Sequence, residues 1–457
     1  MSLITFEVNP FLSCPLNMAQ AYAMNTVLQE SPSVISGLSL PNVLKQGALI
    51  KKSNSPPKIT LLDKMIENPV LNRLGNDLLG VALPTIGIEF LLRGWQRGVE
   101  MCAVMIPYIA TTFVVPTAFM PLWNNMATKE YNLPSEFSRL HEIGFEDLLI
   151  DKDINAFRDK LQKLEGKEKI EKYLAGLDDG NAKLCILREK LIKAKSSAIR
   201  KNIFTTGLFA NLVYWFKNWF AKSVLGVTGF TGELNVLDES QVERNSGSYE
   251  KNKFFLFSGA ILSYLFGSHL FSNAIEKSAS AKKSDVKTNP ILDYIRKNID
   301  TFDIQDGKFP NRGNLFGMYM TGGIFSYFFA SRSVTEFIEN VIRLTIWFPM
   351  AMWGDTYIKN MSASKMDKSL GTSLLEYDKK TQVKTVKSLE KLYKELEGAT
   401  VSGNQGSVEL LTRSIKARKK MDLSSLLKNA LIMGIGLTAF NALFSSWRLR
   451  NGIGVNS

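Results

Sequence analysis

Histidine and cysteine are nearly missing from this chain. Of 457 residues, two are histidine and three are cysteine. Cys14, Cys102 and Cys185 lie too far apart to seed a zinc site or a disulfide framework. A phosphate-cradling glycine loop ahead of Lys-Ser/Thr, a dinucleotide fingerprint and a nucleophile elbow are missing too, and no Ser, His and Asp set stands out. Gly226, Gly229 and Gly232 form a glycine pattern, but a polar loop follows it, so it reads as a turn. The residues therefore nominate no catalytic group, cofactor or metal site, and enzyme classes of the soluble type lose ground. Residues 1–10 lack a basic start followed by an apolar core, so membrane insertion is expected to rely on internal segments.

The averages describe no single class: 45% of residues are hydrophobic, 22% are charged, and mean hydropathy is −0.03. Apolar residues nevertheless gather in separate blocks, with nearly all the charge between them, which implies two different solvents. A net charge of +13 and a pI of about 9.4 first suggest nucleic acid. Lys and Arg are interleaved with almost as many acids, however, and no nucleic-acid module appears. Cationic loops held on the cytoplasmic side of a membrane explain the excess better.

The clearest block is 101–122, which carries no charge and contains Pro107, Pro116 and Pro121. Spanning helices tolerate such prolines where neighbours satisfy the freed carbonyls. Further blocks cover 203–220, 254–271, 315–330, 337–353 and 426–447, with Trp215, Trp219, Trp347, Trp353 and Trp447 near block ends at headgroup level. Segment 78–92 is a weaker candidate because it is short and includes Pro84 and Glu89. The expected fold is all-α: a multi-pass helical membrane bundle of six spans, or seven if 78–92 crosses, with charged helical cytoplasmic loops. Seven is preferred, because it removes the need to pass about a hundred residues across the membrane ahead of the first span.

The chain divides accordingly into 1–76, largely irregular; 77–122, a first membrane hairpin or span; 123–202, a charged helical hairpin; 203–353, a span region with polar loops; 354–425, a second charged helical loop; and 426–457, a final span and tail. Within the first segment, Leu61, Leu62, Met65 and Ile66 allow a short amphipathic helix. In 123–202 the apolar pattern from Leu161 to Leu191 is interrupted by Asp178, Asp179, Gly180 and Asn181, the turn of the hairpin. Val386, Leu389, Tyr393 and Leu396 resemble one short coiled-coil seam. Lys193, Lys195, Arg200 and Lys201, then Lys277, Lys282 and Lys283, then Lys416, Arg418, Lys419 and Lys420 place three loops in the cytoplasm. Arg448 and Arg450 count mildly against an external carboxyl tail.

Charges beside apolar blocks are the most informative residues, since a charge near the bilayer centre costs about 2.5–3.5 kcal/mol even on lenient scales. Glu89 with Arg93, and Glu339 with Arg343, are Glu-to-Arg pairs four apart, the favourable order on a helix. Arg97, Glu100 and Glu336 stand near them. These sets brace helix ends or line a polar path, and bracing is the simpler reading. Small residues recur every fourth position at Gly259, Ser263 and Gly267, and at Ala430, Gly434, Thr438 and Ala442. Such stripes let helices approach closely, by ordinary intramolecular packing or at an oligomer face. His269 reads as a structural hydrogen-bonding group. Asp300, Asp303 and Asp306 before Gly307 have the wrong spacing for a calcium loop and read as a turn.

The lipid bilayer is thus the expected partner, with a protein partner or self-association through membrane and cytoplasmic helices, and no nucleic acid. The leading expectation is a non-enzymatic membrane scaffold or assembly component; the alternative is a solute transporter or channel.

Overall fold

The computed structural model describes residue 72 and residues 74–175, 180–250, 253–305, 309–378 and 383–453. The irregular segment, the short helix around Leu61, the turn residues Asp178 and Asp179, and Asp306 with Gly307 lie outside these residues. Among the described residues the fold is almost entirely helical, as expected.

A π-helical stretch, Asn76–Ala82, runs into α1, Leu83–Arg93. Gly94 then reverses the chain at φ 86°, a left-handed conformation that glycine adopts without a Cβ clash. Helix α2, Trp95–Glu130, packs back along α1, and the Phe90 ring occupies the place where a Cβ on Gly98 would stand. Pro107, Pro116 and Pro121 all lie inside α2 without ending it. The Thr112 and Thr117 hydroxyls meanwhile bond to the carbonyls of Ile109, 3.0 Å, and Phe113, 2.7 Å.

Two short helices follow, α3, Ile154–Glu165, and α4, Lys167–Leu174, separated by Gly166. Helix α5 spans Gly180–Ser223, 44 residues, and runs unbroken across the expected boundary at 202/203. The charged half and the apolar half are one rod. Lys195, one of the cations expected to face the cytoplasm, is buried at 2% exposure because its ammonium pairs with Asp303 and donates to the Ile143 carbonyl.

After α6, Glu239–Glu250, come α7, Lys253–Ser280, and α8, Pro290–Lys297. A two-residue-per-strand hairpin, β1, Ile304–Gln305, with β2, Phe309–Pro310, precedes α9, Arg312–Met318. A π stretch, Tyr319–Gly323, joins α9 to α10, Ile324–Ala330. Helix α11, Val334–Pro349, passes through the π stretch Met350–Gly354 into α12, Asp355–Leu370. An antiparallel hairpin, β3, Leu375–Asp378, with β4, Val383–Val386, pairs Leu375 with Val386. Val386 therefore lies in a strand and not at the head of a helical seam, where β-branched Val383, Thr385 and Val386 fit an extended chain. Ser388 restarts the helix by accepting from Lys391 N at 3.1 Å, giving α13, Leu389–Val401. Helix α14, Gln405–Asn429, continues through the π stretch Ala430–Gly436 into α15, Leu437–Arg450, again without a break at 425/426.

Named contacts fix how these helices run. Glu130 meets Lys201, Phe119 meets Phe209 and Tyr108 meets Tyr214, so α2 and α5 are antiparallel. Arg200 meets His269 and Trp215 meets Phe257, so α7 opposes α5. Gly267 meets Thr321 and Phe257 meets Phe329, so α9–α10 opposes α7. Phe328 against Phe337 folds α11 back along α10. Gly434 against Pro84 and Asn441 against Arg93 lay α14–α15 parallel to α1. Among the described residues seven helical stretches thus lie side by side with alternating direction. Among the described residues two helices, Trp95–Glu130 and Gln405–Arg450, are long and apolar enough to cross a membrane.

The connections with most charge collect at one end of this bundle. There Phe145, Leu148, Phe157, Leu161, Ile170 and Leu191 share a core with Ile295, Ile299 and Phe302, joining the region after α2 to the region after α7. A separate core, including Leu374, Leu389, Leu392, Leu411 and Ile415, holds the hairpin β3–β4 with α13 and α14. The opposite end carries the Gly94 turn, the loop after α5, the α10–α11 turn and the end of α15.

Candidate functional site

At the Gly94 end the bundle buries a cluster of charges. It starts from sequence-local pieces. Glu89 and Arg93 lie one turn apart on α1, with Arg93 Nη1 3.4 Å from Glu89 Oε2. Just beyond the Gly94 turn, Arg97 and Glu100 lie one turn apart on α2 at 3.3 Å. The turn brings these pairs together, and Arg97 Nε stands 3.4 Å from Glu89.

A third element enters from α11. Ser333 caps that helix by accepting from Glu336 N at 3.2 Å, while the Glu336 carboxylate turns back to accept from Arg332 N at 2.7 Å. This places Arg332 with Nε 3.2 Å from Glu336 and Nη2 2.5 Å from Glu100. Lys217, from the last turns of α5, donates to Glu336 at 2.6 Å and to the Ala330 carbonyl at 3.0 Å. One turn along α11, Glu339 receives the Arg93 guanidinium, with Nη1 to Oε2 at 2.9 Å. Arg343, a further turn on, reaches Glu89 at 3.4 Å.

Glu339 and Arg343 are thus not each other's main partners. Each crosses to α1: Glu339 to Arg93, and Arg343 to Glu89. Spacing of four positions makes an intrahelical pair available, but the carboxylate goes to the interhelical contact. Glu89 is the hub, held by Arg93, Arg97 and Arg343.

The loop after α5 closes the cluster. Phe230, fully buried, sets its ring within 4.6 Å of Arg97, 5.7 Å of Arg93 and 5.8 Å of Arg332, a stacking arrangement favourable to guanidinium groups. Thr231 donates to Glu100. Glu233 is also fully buried, but its contacts are neutral donors, Ser333 at 2.7 Å and Asn245 at 3.3 Å, and burial pushes its carboxyl up from the ordinary range.

Lys217, Arg332 and Glu233 escaped the sequence reading. Two of them left signals: a lone lysine inside the apolar block 203–220, and a Ser-x-x-Glu capping box at Ser333 to Glu336 just ahead of an apolar run. Glu233 left none.

The small-residue stripes both face neighbours in the same chain. Gly267 lies where a Cβ would stand 2.7 Å from Thr321, and Ser263 donates to the Thr321 carbonyl. A Cβ on Gly434 would stand 2.5 Å from Pro84, the Thr438 hydroxyl lies 3.2 Å from that of Thr85, and Ala442 is buried. Ala430 and Gly259 are half-buried on the same helices. His269 bonds Arg200 at 2.9 Å and Asn273 at 3.1 Å. Asp303 accepts from Phe145 N and Ile304 N, each at 2.7 Å, and pairs with Lys195 at 2.7 Å, so it ties loops together as well as turning the chain.

No family model, curated protein or solved structure matches this chain.

What the cluster can do follows from its own chemistry. Five cations, Arg93, Arg97, Lys217, Arg332 and Arg343, face four acids, Glu89, Glu100, Glu336 and Glu339, with Glu233 on the rim. Each of the four acids has at least one cation within ion-pair distance. Among the described residues no grouping of three His, Cys, Asp or Glu side chains is placed to hold a metal ion. A buried network of this kind fixes the mutual register of the helices that supply it.

Proposed function

We propose that this protein is a multi-pass integral membrane scaffold with seven spans. In this reading its amino-terminal side and three charged regions lie in the cytoplasm, where its folded lobes dock other proteins. The observation that carries the reading is the alternation of seven helical stretches with the most charged connections gathered at one end. Apolar side chains on the bundle's outer faces, among them Phe266, Leu270 and Leu443, are exposed, as lipid-facing residues would be. The charge cluster then serves as a brace, since its acids are already paired. On the second lobe, Tyr357, Tyr377 and Val401 are exposed and offer apolar anchors to a partner.

Carbonate extraction should leave the protein in the membrane pellet. In a background without native cysteines, Lys283→Cys and Lys420→Cys should resist an impermeant thiol reagent in intact cells, and Arg244→Cys should label. All three are exposed, Arg244 at the Gly94 end. Labelling of Lys283→Cys or Lys420→Cys refutes the orientation. Native electrophoresis of the solubilised protein should show an assembly larger than one chain, reduced by Tyr377→Asp with Val401→Asp. A single-chain particle in both cases removes the scaffold role.

A second reading, transport, has one observation in its favour. A cavity between α1, α2, α11 and α15 is lined by Asp77, Thr85, Tyr108, Arg343, Met433 and Thr438, and two π stretches border it. π segments recur at functional sites. At about 60 Å³ it holds a few waters, against roughly 300–1,000 Å³ for small-molecule sites, which is why transport stands second. Proteoliposomes that dissipate a pH gradient faster than protein-free vesicles would reverse that order.

A further inference from the structure

We infer that the outer face between α5 and α7 is a binding site for one anionic phospholipid, with its phosphate on Arg200 and an acyl chain running toward Trp215. The inference rests on the membrane reading above. Two stripes form the site. On α5, Arg200, Phe204, Leu208, Leu212 and Trp215 follow one another at helical spacing, and Leu208, Leu212 and Trp215 are exposed. On antiparallel α7, Leu262, Phe266, His269 and Asn273 do the same, with Leu262 51% and Phe266 67% exposed.

The polar ends of both stripes meet. Arg200 Nη1 lies 2.9 Å from His269 Nδ1, and His269 Nε2 lies 3.1 Å from Asn273. A guanidinium only donates, so Nδ1 is the acceptor in its contact with Arg200. Among the described residues Arg200 forms no ion pair with a carboxylate, whereas its neighbour Lys201 is taken by Glu130 at 2.5 Å. Four further N–H groups of the fork remain for a phosphodiester, which guanidinium binds in a bidentate manner.

The depth is right for a headgroup. Apolar block 203–220 begins just past Arg200, and block 254–271 ends just past His269. This is also the end of the bundle that gathers the cationic loops, so the leaflet is the one in which anionic lipid meets juxtamembrane cations. From Arg200 to Trp215 the helix rises about 22 Å at 1.5 Å per residue, enough for the roughly 15 Å of acyl chain in one leaflet. Charge complementarity selects an anionic lipid over a zwitterionic one, and the aliphatic and aromatic walls select a lipid over a free phosphate.

The test is native mass spectrometry of the full-length protein in detergent, titrated with dioleoylphosphatidylglycerol or dioleoylphosphatidylcholine. Retention of one phosphatidylglycerol in preference to phosphatidylcholine is expected. Arg200→Gln should weaken that retention about five-fold, the effect of one cation near an anionic surface. Arg200→Lys should recover part of it, and Arg244→Gln, at the other end, should change nothing. Equal retention of both lipids, or an unchanged Arg200→Gln, overturns the site. Should carbonate release the protein from membranes, the membrane reading itself fails, which is a separate result from a membrane-resident protein that shows no lipid preference.

Discussion

Charge is buried at both ends of the bundle, but by different means. At the Gly94 end side chains neutralise side chains: Arg332 touches Glu100 and Glu336, and removal of one member upsets the charge balance of several others. At the other end Lys195 and Asp303 form one pair at 2.7 Å, and backbone groups complete it: the Ile143 carbonyl for Lys195, and Phe145 N and Ile304 N for Asp303. The first arrangement registers helices against one another. The second stitches loops to a rod. The difference predicts how each tolerates damage.

Arg332→Met should be the most harmful change, because it takes a buried cation from two buried acids at once and leaves Glu100 with Arg97 alone and Glu336 with Lys217 alone; breaking a buried pair costs about 3–5 kcal/mol. Thermal melting and cellular abundance would both report it, and a loss under about 1 kcal/mol would mean the cluster is wetter than its burial implies. Lys195→Met should cost less, about 2 kcal/mol, since Asp303 retains two backbone donors. A loss equal to that of Arg332→Met would erase the contrast between the ends.

A double-mutant cycle sharpens the first arrangement. Arg93→Gln and Glu339→Gln should couple by about 1–2 kcal/mol, whereas Glu339→Gln and Arg343→Gln should couple by less than about 0.5 kcal/mol. The reverse ranking would restore the intrahelical pair that spacing alone suggests.

His141, at the lobe end, gives a pH test. Burial, then the Lys195 charge, pulls its imidazole down to about 4. The folded protein therefore holds it neutral while the unfolded chain takes up a proton near pH 6.5, so its contribution is complete above about 6.5 and is lost as pH falls toward 4. The slope should reach at most about 1.4 kcal/mol per pH unit, and His141→Gln should flatten it. The smallest effect belongs to Glu233→Gln. Its partners Ser333 and Asn245 serve an amide oxygen as well as a carboxyl, so less than about 0.5 kcal/mol should change. A large loss would show that Glu233 is ionised and balances the fifth cation.

Apolar blocks were legible because each needs only a run of like residues, and each of the named blocks lies on helix in the structure. The members of the charge cluster were legible where a charge interrupts such a run, as at Glu89, Arg93 and Glu339. Their pairing was not. Arg93 and Glu339 are 246 positions apart, and which carboxylate a guanidinium meets depends on the rotation of one helix against another, which a one-dimensional pattern does not carry. The strand at Val386 was hidden for a related reason: three-and-four spacing holds for any few apolar residues, and only the hydrogen bonds to Leu375 across the hairpin decide the matter.

One consequence lies in α5. At 44 residues it is a single shaft of about 66 Å, with Lys217 clamped in the charge cluster near one tip and Leu184, Leu187 and Leu191 embedded in the lobe near the other. Nothing along it offers a hinge, for it contains no proline and its glycine at 207 is pressed against Tyr264. A torque applied to the lobe by a docked protein would be felt at Lys217 on the far side of the bundle as rotation, with little lost to bending on the way.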